Sequence, residues 1–531
     1  MKIDLKECAS YIIKTIIIFF FLLATIHIVF LKQNLLCAFD DKIVVFTSVF
    51  FTIFIMLINL VKYKINIDFK FKGNLFKFFF IALIFIMQIV FAVLIYRNIG
   101  FDCSVVVNTA IDMANGIFTQ VEYFSKYSNN IFLMLLLEGI FRVVKLFGVT
   151  NYLLVAIIFN IIVVDLAIIL INLTCKKTLK NNYKCIDLFF TIPMLAFTPY
   201  IGVVYSDTLS LIFTIAILYF YICYKESAKV KNLVATIIFS TIGLLLKPTN
   251  IIILIAIVII ESINVILSFL KNRKESGKKI LKNICKNILI SAVSFLTIYS
   301  LYMGYRDLRL NKYISKSDYE NNGFPFTHFI MMGLKPTEVE GKYYGLYREE
   351  DVIATQQQIG IANKKEYNIS EIKNRLNKLG IKGYVSYLYD KYTFIISDGT
   401  FFYGNEGSFY TSPPCNSSEL AQKIQYYVYV DKEGYIKYTR NIMQGIWTSV
   451  IIVILIDTIL NFRKKESDYI NISRLALIGI IMFILIFEAR SRYLINYLPI
   501  FVIVWSYSMS NIINFIEENI EKKGRKRLNE A

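Results

Sequence analysis

Long apolar runs separated by short polar breaks make up most of this chain. Runs of about 17–22 apolar residues, the length that crosses roughly 30 Å of hydrocarbon as a helix, fall near 11–31, 43–61, 78–96, 151–174, 187–205, 208–224, 233–247, 249–270, 287–305, 442–461, 473–489 and 493–513. The pattern predicts a polytopic α-helical membrane protein with about 12 transmembrane helices. Pro193 and Pro199 fall inside the fifth run and predict a kink there.

Two interruptions are longer than a turn. The first, 97–150, opens with RNIGFDCSVVVNTAIDMANGIFTQVEYFSKYS, which is too polar to cross a bilayer, and continues with IFLMLLLEGIFRVVKLFG. In that second stretch Glu138, Arg142 and Lys145 fall on one helical face and the Leu, Ile and Phe residues on the other. Such a helix lies in the membrane interface, so 97–150 is expected as two juxtamembrane helices joined around Tyr127–Asn130. The second interruption, 306–441, is expected as a small mixed extracytoplasmic domain, with a helix over 369–379 that starts at Ser370 and stops at Gly380. Residues 1–77 then form an added N-terminal helix pair, 78–305 the main membrane core, and 442–531 the closing helices with a basic tail.

Composition supports the membrane assignment: of 531 residues, 56% are hydrophobic and 15% aromatic, with mean hydropathy +0.55. The formal charge of +19 suggests a nucleic-acid partner until it is mapped. With the N-terminus inside, the predicted cytoplasmic segments carry the whole +19 between them. That is the positive-inside asymmetry of a multi-pass cell-membrane protein with both termini cytoplasmic, and anionic lipid headgroups satisfy it without nucleic acid. The eight cysteines are scattered, with no CxxC and no His pair, so neither a disulfide framework nor a zinc site is indicated. No P-loop, GxSxG, HExxH or dinucleotide fingerprint is visible, which counts against nucleotide-driven transport and serine or zinc hydrolysis.

The candidate chemistry collects at one level. Asp102 follows the third run, Asp207 opens the sixth, Lys247 precedes Pro248, and Arg490 and Arg492 lie between the last two runs. All map to the outer boundary of the membrane. Each has a plainer reading: Asp102 as a helix cap, Asp207 as a partner for a helix dipole, Lys247 as a snorkelling side chain, and the two arginines in a surface turn beside Glu488. His27, inside the first run, reads as a packed side chain. Taken together, they would suit transfer of a sugar from a lipid phosphate. Asp102 would deprotonate the acceptor, Asp207 would be a second acidic group, and Arg490, Arg492 and Lys247 would hold the donor phosphate.

The order GFDCSVVVNTAIDMANG, YFSKYSNNIFLMLLLEGIF, PYIGVVYSDTLS, LLLKPTN, then HFIMMGL, YREED, DGTFFYGNEG and EARSRYLINYLP resembles the GT-C superfamily of membrane glycosyltransferases over 78–513. Protein O-mannosyltransferases and aminoarabinose transferases belong to that superfamily. The resemblance implies a polyprenyl-phosphate-linked sugar donor, an extracytoplasmic acceptor (protein, glycolipid or cell-wall polymer), and Asp102 at the position of the family's first-loop base. Where the family often has two adjacent acidic residues, Asp102 is followed by Cys103. No cofactor is required on this reading, and a divalent cation is left open. The alternatives are a multi-pass transporter or flippase for lipid-linked sugars, and a surface-polysaccharide polymerase or ligase. A transporter would carry its ionisable groups near the bilayer midplane, which here is nearly bare.

Overall fold

The computed structural model describes residues 5–31, 38–65, 74–271, 276–335 and 345–530, and within them the chain is nearly all helix. The centres of two predicted basic turns, 66–73 and 272–275, lie outside the described residues. The first helices are α1 (Leu5–Ile26), α2 (Asp41–Ile65) and α3 (Asn74–Ile95). Three short helices follow: α4 (Phe101–Ala114), α5 (Val121–Lys126) and α6 (Ile131–Lys145). The middle of the chain runs through α7 (Tyr152–Leu179), α8 (Asp187–Thr191), α9 (Ser206–Leu209), α10 (Leu211–Ser227), α11 (Val230–Leu246), α12 (Ile251–Lys271) and α13 (Ser276–Leu310). Beyond these lie α14 (Lys316–Asn322), α15 (Phe326–Gly333), α16 (Glu349–Gln356), α17 (Ile361–Ile396) and α18 (Glu419–Val428). The last three are α19 (Arg440–Leu460), α20 (Asp468–Ile486) and α21 (Leu498–Glu530).

Among the described residues nine helices are long and apolar enough to cross a membrane, and three more apolar helices are shorter. The predicted spans are therefore not all continuous crossing helices. The run 187–205 is instead α8, a π turn at Ile192–Ala196 and a 3-10 turn at Pro199–Gly202. Pro193 offers no N–H to the ladder, and the helix widens around it into the π turn before ending at Ala196, ahead of Pro199.

The two long interruptions also differ from expectation. Residues 97–150 form three helices rather than two, with a 3-10 turn at Ser128–Asn130 where the connection was expected. The charged face of α6 is only partly solvated: Arg142 and Lys145 are exposed, but Glu138 is fully buried and accepts from Arg309 Nη2 of α13 at 2.6 Å. Residues 306–441 carry no strand among the described residues; the one isolated antiparallel pairing joins Ile99 to Tyr410. The helix expected over 369–379 is the middle of α17. It begins earlier than Ser370, at Ile361, but it stops at Gly380 as expected: the backbone there is non-helical (φ +60°, ψ 179°), and a second helical segment carrying the buried Tyr387, Tyr392 and Phe394 completes α17.

The core is a bundle in which α10, α19, α20 and α21 are the most enclosed, around Trp447, Phe501 and Trp505. At the end of the bundle remote from Asp102, Lys14 of α1 donates to the carbonyls of Asn461, Phe462 and Lys464 between 2.6 and 3.1 Å. Arg474 grips Glu466 there with contacts of 2.8 and 2.6 Å. At the other end, α14–α18 fold over the bundle. Ser315 and Asp318 close a capping box on α14, and Arg375 of α17 forks onto Asp351 of α16 at 2.7 and 2.9 Å.

His328 of α15 is enclosed by this cap. Thr355 donates its hydroxyl to Asn368 at 2.9 Å, so it accepts from His328 Nδ1–H, also at 2.9 Å, and Nε2 is left buried without a partner. Burial, with Lys364 and Arg375 adding to it and Asp351 opposing, lowers its pKa from 6.5 to about 4. A folded-state pKa below the unfolded one means that the unfolded chain binds the proton first. Stability is therefore full above pH 6.5 and falls as pH drops toward 4, by about 3 kcal/mol in all. Amide exchange across α15–α17 should accelerate over that interval in wild type, and the acceleration should be largely absent in His328→Gln.

Candidate active site

The site forms where helices break. Gly100 caps α4, and a Cβ there would lie 1.7 Å from the carbonyl oxygen of Ser408, so only glycine allows this approach. Its N–H bonds to Phe409 O at 2.8 Å, which ties the start of α4 to the 397–410 loop. Asp102 is the second residue of α4 and makes no capping bond, which sets aside its reading as a helix cap. Partly exposed, it accepts from the Tyr205 hydroxyl at 3.3 Å. That hydroxyl is shared with Asn130 Oδ1 at 3.2 Å, and Asn130 Nδ2 donates to Tyr123 at 2.7 Å. Burial first, and then the Asp102 charge, pushes the phenols of Tyr123 and Tyr127 well up, so both stay protonated beside the carboxylate. Cys103 points away, buried, with Sγ 3.3 Å from Val204 O.

Behind Tyr205 lies an ionic cluster. Asp207 opens α9 and is fully enclosed between Lys247, which bonds one carboxylate oxygen, and Arg492, whose Nη1 bonds the other at 2.7 Å. Arg492 Nε also lies 2.7 Å from Glu406 Oε1. Glu406 bonds Arg490 in turn, and Arg490 Nε lies 3.7 Å from Glu488. The Arg492 guanidinium is surrounded by the rings of Phe101, Tyr205 and Tyr493, all within 5.3–5.4 Å. Three cations and three carboxylates thus share one buried patch. The arginines do not occupy a surface turn. For Arg490, burial opposes the charge, but Glu406 and Glu488 outweigh it and hold the guanidinium more firmly protonated than usual. Burial raises the pKa of Glu488 against the pull of both arginines.

The loops that carry these groups are fixed from outside. Asp398 accepts from the N–H groups of Thr400 and Phe402 at 2.9 and 2.7 Å and from the hydroxyls of Thr400 and Ser491, so one carboxylate joins the Glu406 loop to the arginine segment. Burial raises its pKa against those bonds. Lys391 of α17 donates to Gly333 O, Leu485 O and Phe487 O at 2.9, 3.3 and 2.6 Å. The N–H groups of Glu488 and Ala489 bond to Phe329 O and Gly345 O at 2.7 and 3.0 Å. A Cβ on Gly333 would lie 2.5 Å from the Phe487 backbone, and one on Gly345 2.7 Å from Lys391.

All five candidate residues therefore gather at one end of the bundle. Asp207, Lys247 and Arg492 are in direct contact, Arg490 joins through Glu406, and Asp102 through Tyr205. Sequence reasoning gave no role to Tyr205, Asn130, Glu406, Asp398 or Lys391. Glu406 carried a weak signal as the lone acidic residue of FFYGNEGSF. Among the described residues no group of three or more His, Cys, Asp or Glu side chains is arranged to hold a metal ion.

Residues 6–513 match the family described as "Conserved hypothetical integral membrane protein". The chain belongs to that family and is an integral membrane protein. Two solved structures of ArnT from Cupriavidus metallidurans are similar to it. The one bound to undecaprenyl phosphate is 11% identical with a TM-score of 0.33, covering 82% of this chain and 78% of its own. The apo structure is 12% identical with a TM-score of 0.32, covering 81% and 76%. No curated protein matches the chain.

Removing one partner of a buried ion group leaves the others unpaired at low dielectric and costs about 3–5 kcal/mol. Asp207→Asn should lower the unfolding temperature in detergent markedly, and adding Lys247→Met should recover part of the loss. An Asp207→Asn protein as stable as wild type would contradict the buried triplet.

Proposed function

We propose that the chain is an inverting glycosyltransferase that moves a sugar from a polyprenyl-phosphate donor to a hydroxyl on an extracytoplasmic acceptor. The observation that carries the reading is a partly exposed carboxylate, Asp102, linked through the single residue Tyr205 to a patch holding Lys247, Arg490 and Arg492. A base and a cationic patch side by side are what this displacement needs. The acceptor oxygen forms a bond to the anomeric carbon as its proton passes to Asp102. The bond from that carbon to the phosphate oxygen breaks, and the electron pair leaves with the polyprenyl phosphate. A phosphate leaving group is already weakly basic and needs cations rather than a general acid.

The cations are not idle in the resting protein. Glu406 occupies both guanidiniums, and on this reading the donor phosphate takes its place while Asp207 keeps Arg492 and Lys247 aligned. A guanidinium has five donors, so Arg492 can retain Asp207 and still donate to a phosphate oxygen. The basic segments Lys176–Lys184 and Lys225–Lys231 fall at the far end of the bundle, which supports an outward-facing site with both termini cytoplasmic.

The test is transfer of labelled sugar from polyprenyl-phosphate donors in reconstituted membranes. Asp102→Asn should cut turnover by roughly 10²–10⁴-fold while donor binding survives, whereas Arg492→Lys should weaken donor binding as well. No turnover with any donor, together with movement of labelled lipid across the bilayer, would replace this reading with a flippase. Glu406→Gln should tighten donor binding, because the phosphate no longer competes with a carboxylate for two arginines.

A further inference from the structure

We propose a second lipid site on the same face of the protein: a groove between α6 and α13 that holds one acyl chain of an anionic phospholipid, with its phosphodiester on Arg142 and Arg309. The groove encloses about 480 Å³. Its walls are apolar, built from Leu135, Leu136, Gly139 and Val143 of α6 and from Tyr302 and Tyr305 of α13. Sites of this size and lining are where single ligands bind. Helix α13 packs mainly against α11 on its other side, and none of its most apolar stretch is buried inside the protein.

Glu138 lies at the edge of this groove, buried, with Arg309 Nη2 at 2.6 Å, Tyr305 at 3.3 Å and Arg142 Nη1 at 3.5 Å. Two guanidiniums share one carboxylate, which leaves a surplus of one positive charge. The Arg142 side chain is 54% exposed, and Arg309 Nε is buried without a partner among the described residues. A single surplus charge beside an apolar groove matches a phosphodiester, which carries one negative charge, better than a phosphomonoester, which carries up to two. The charged end of the groove is separate from the Asp102 site, although its apolar wall begins at Phe132, two residues past Asn130. Asn130, just before α6, touches Tyr205, whereas Glu138 lies about 12 Å further along that helix and Arg142 further still. The inference therefore stands whether or not the protein transfers sugar.

A Cβ at position 139 would meet nothing within 4 Å, so Gly139→Phe can place its ring in the groove without disturbing the packing. The experiment is equilibrium binding of radiolabelled phosphatidylglycerol to the full-length protein in detergent, compared with phosphatidylcholine of the same chains. Wild type should bind phosphatidylglycerol saturably and about tenfold more tightly than phosphatidylcholine, and Gly139→Phe and Arg142→Gln should each weaken binding by a similar factor. Both variants should melt, lipid-free, within a few degrees of wild type. Equal binding of the two lipids overturns the proposal, as does unchanged binding in Gly139→Phe. Displacement of the label by equimolar polyprenyl phosphate also overturns it, because the groove would then belong to the donor.

Discussion

The Asp207 carboxylate, enclosed between Lys247 and Arg492, is the interaction on which the rest of this end of the protein depends. An unpaired charge at that depth would be several kilocalories per mole out of place, so the three elements that supply the charges must meet. They are the start of α9, the Lys247–Pro248 break between α11 and α12, and the stretch before α21. Each interrupts a helix at the same level, and each frees backbone groups that must find partners. Side chains supply them: Asn250 Nδ2 bonds Gly243 O, Tyr497 bonds Thr249 O, and Asn160 bonds Ile201 O. Irregular backbone is thus concentrated in one polar layer, and the helices on either side stay regular.

Tyr205 gives this layer its chemical character. Its hydroxyl reaches Asp102 while its ring lies against the Arg492 guanidinium. A carboxylate and a cationic patch are thereby fixed relative to one another by a single rigid side chain with few rotamers. The patch itself balances, three cations against three carboxylates, so no large net field stands at the site before a ligand arrives. Cations held ready in this way are already desolvated and oriented, which spares reorganisation when an anion binds.

Much of this was legible in the chain. Apolar runs of spanning length mark the helices, because a bilayer allows few other ways to satisfy backbone. The charged residues that interrupt one end of those runs, Asp102, Asp207, Lys247, Arg490 and Arg492, are the ones that gather in one cluster. Reading failed where partners come from far away in sequence. Glu138 looked like part of a solvated face because Arg309, its partner, lies 171 positions later. Glu406 gave little warning because it meets Arg490 and Arg492 only through the fold. Pro193 and Pro199 were read as bending one helix, but that helix widens into a π turn around Pro193 and ends at Ala196, before Pro199 is reached. The stop at Gly380 was legible because glycine takes the positive φ that ends a helix there, whereas the start at Ile361, well ahead of Ser370, was missed.

The segment from Phe487 to Ala489 has no slack. Its backbone is bonded to α15 and to Gly345, its carbonyl is gripped by Lys391, and the bare Cα atoms of Gly333 and Gly345 let its neighbours close to contact distance. Arg490 follows one residue later. The guanidinium cluster is therefore mechanically geared to the helices that fold over the bundle: a displacement of α15 or α17 of even an ångström is carried straight to Arg490 and Arg492. Whatever macromolecule comes to rest on that outer surface presses on the charges beneath it, which makes the surface a lever on the site as well as a cover for it.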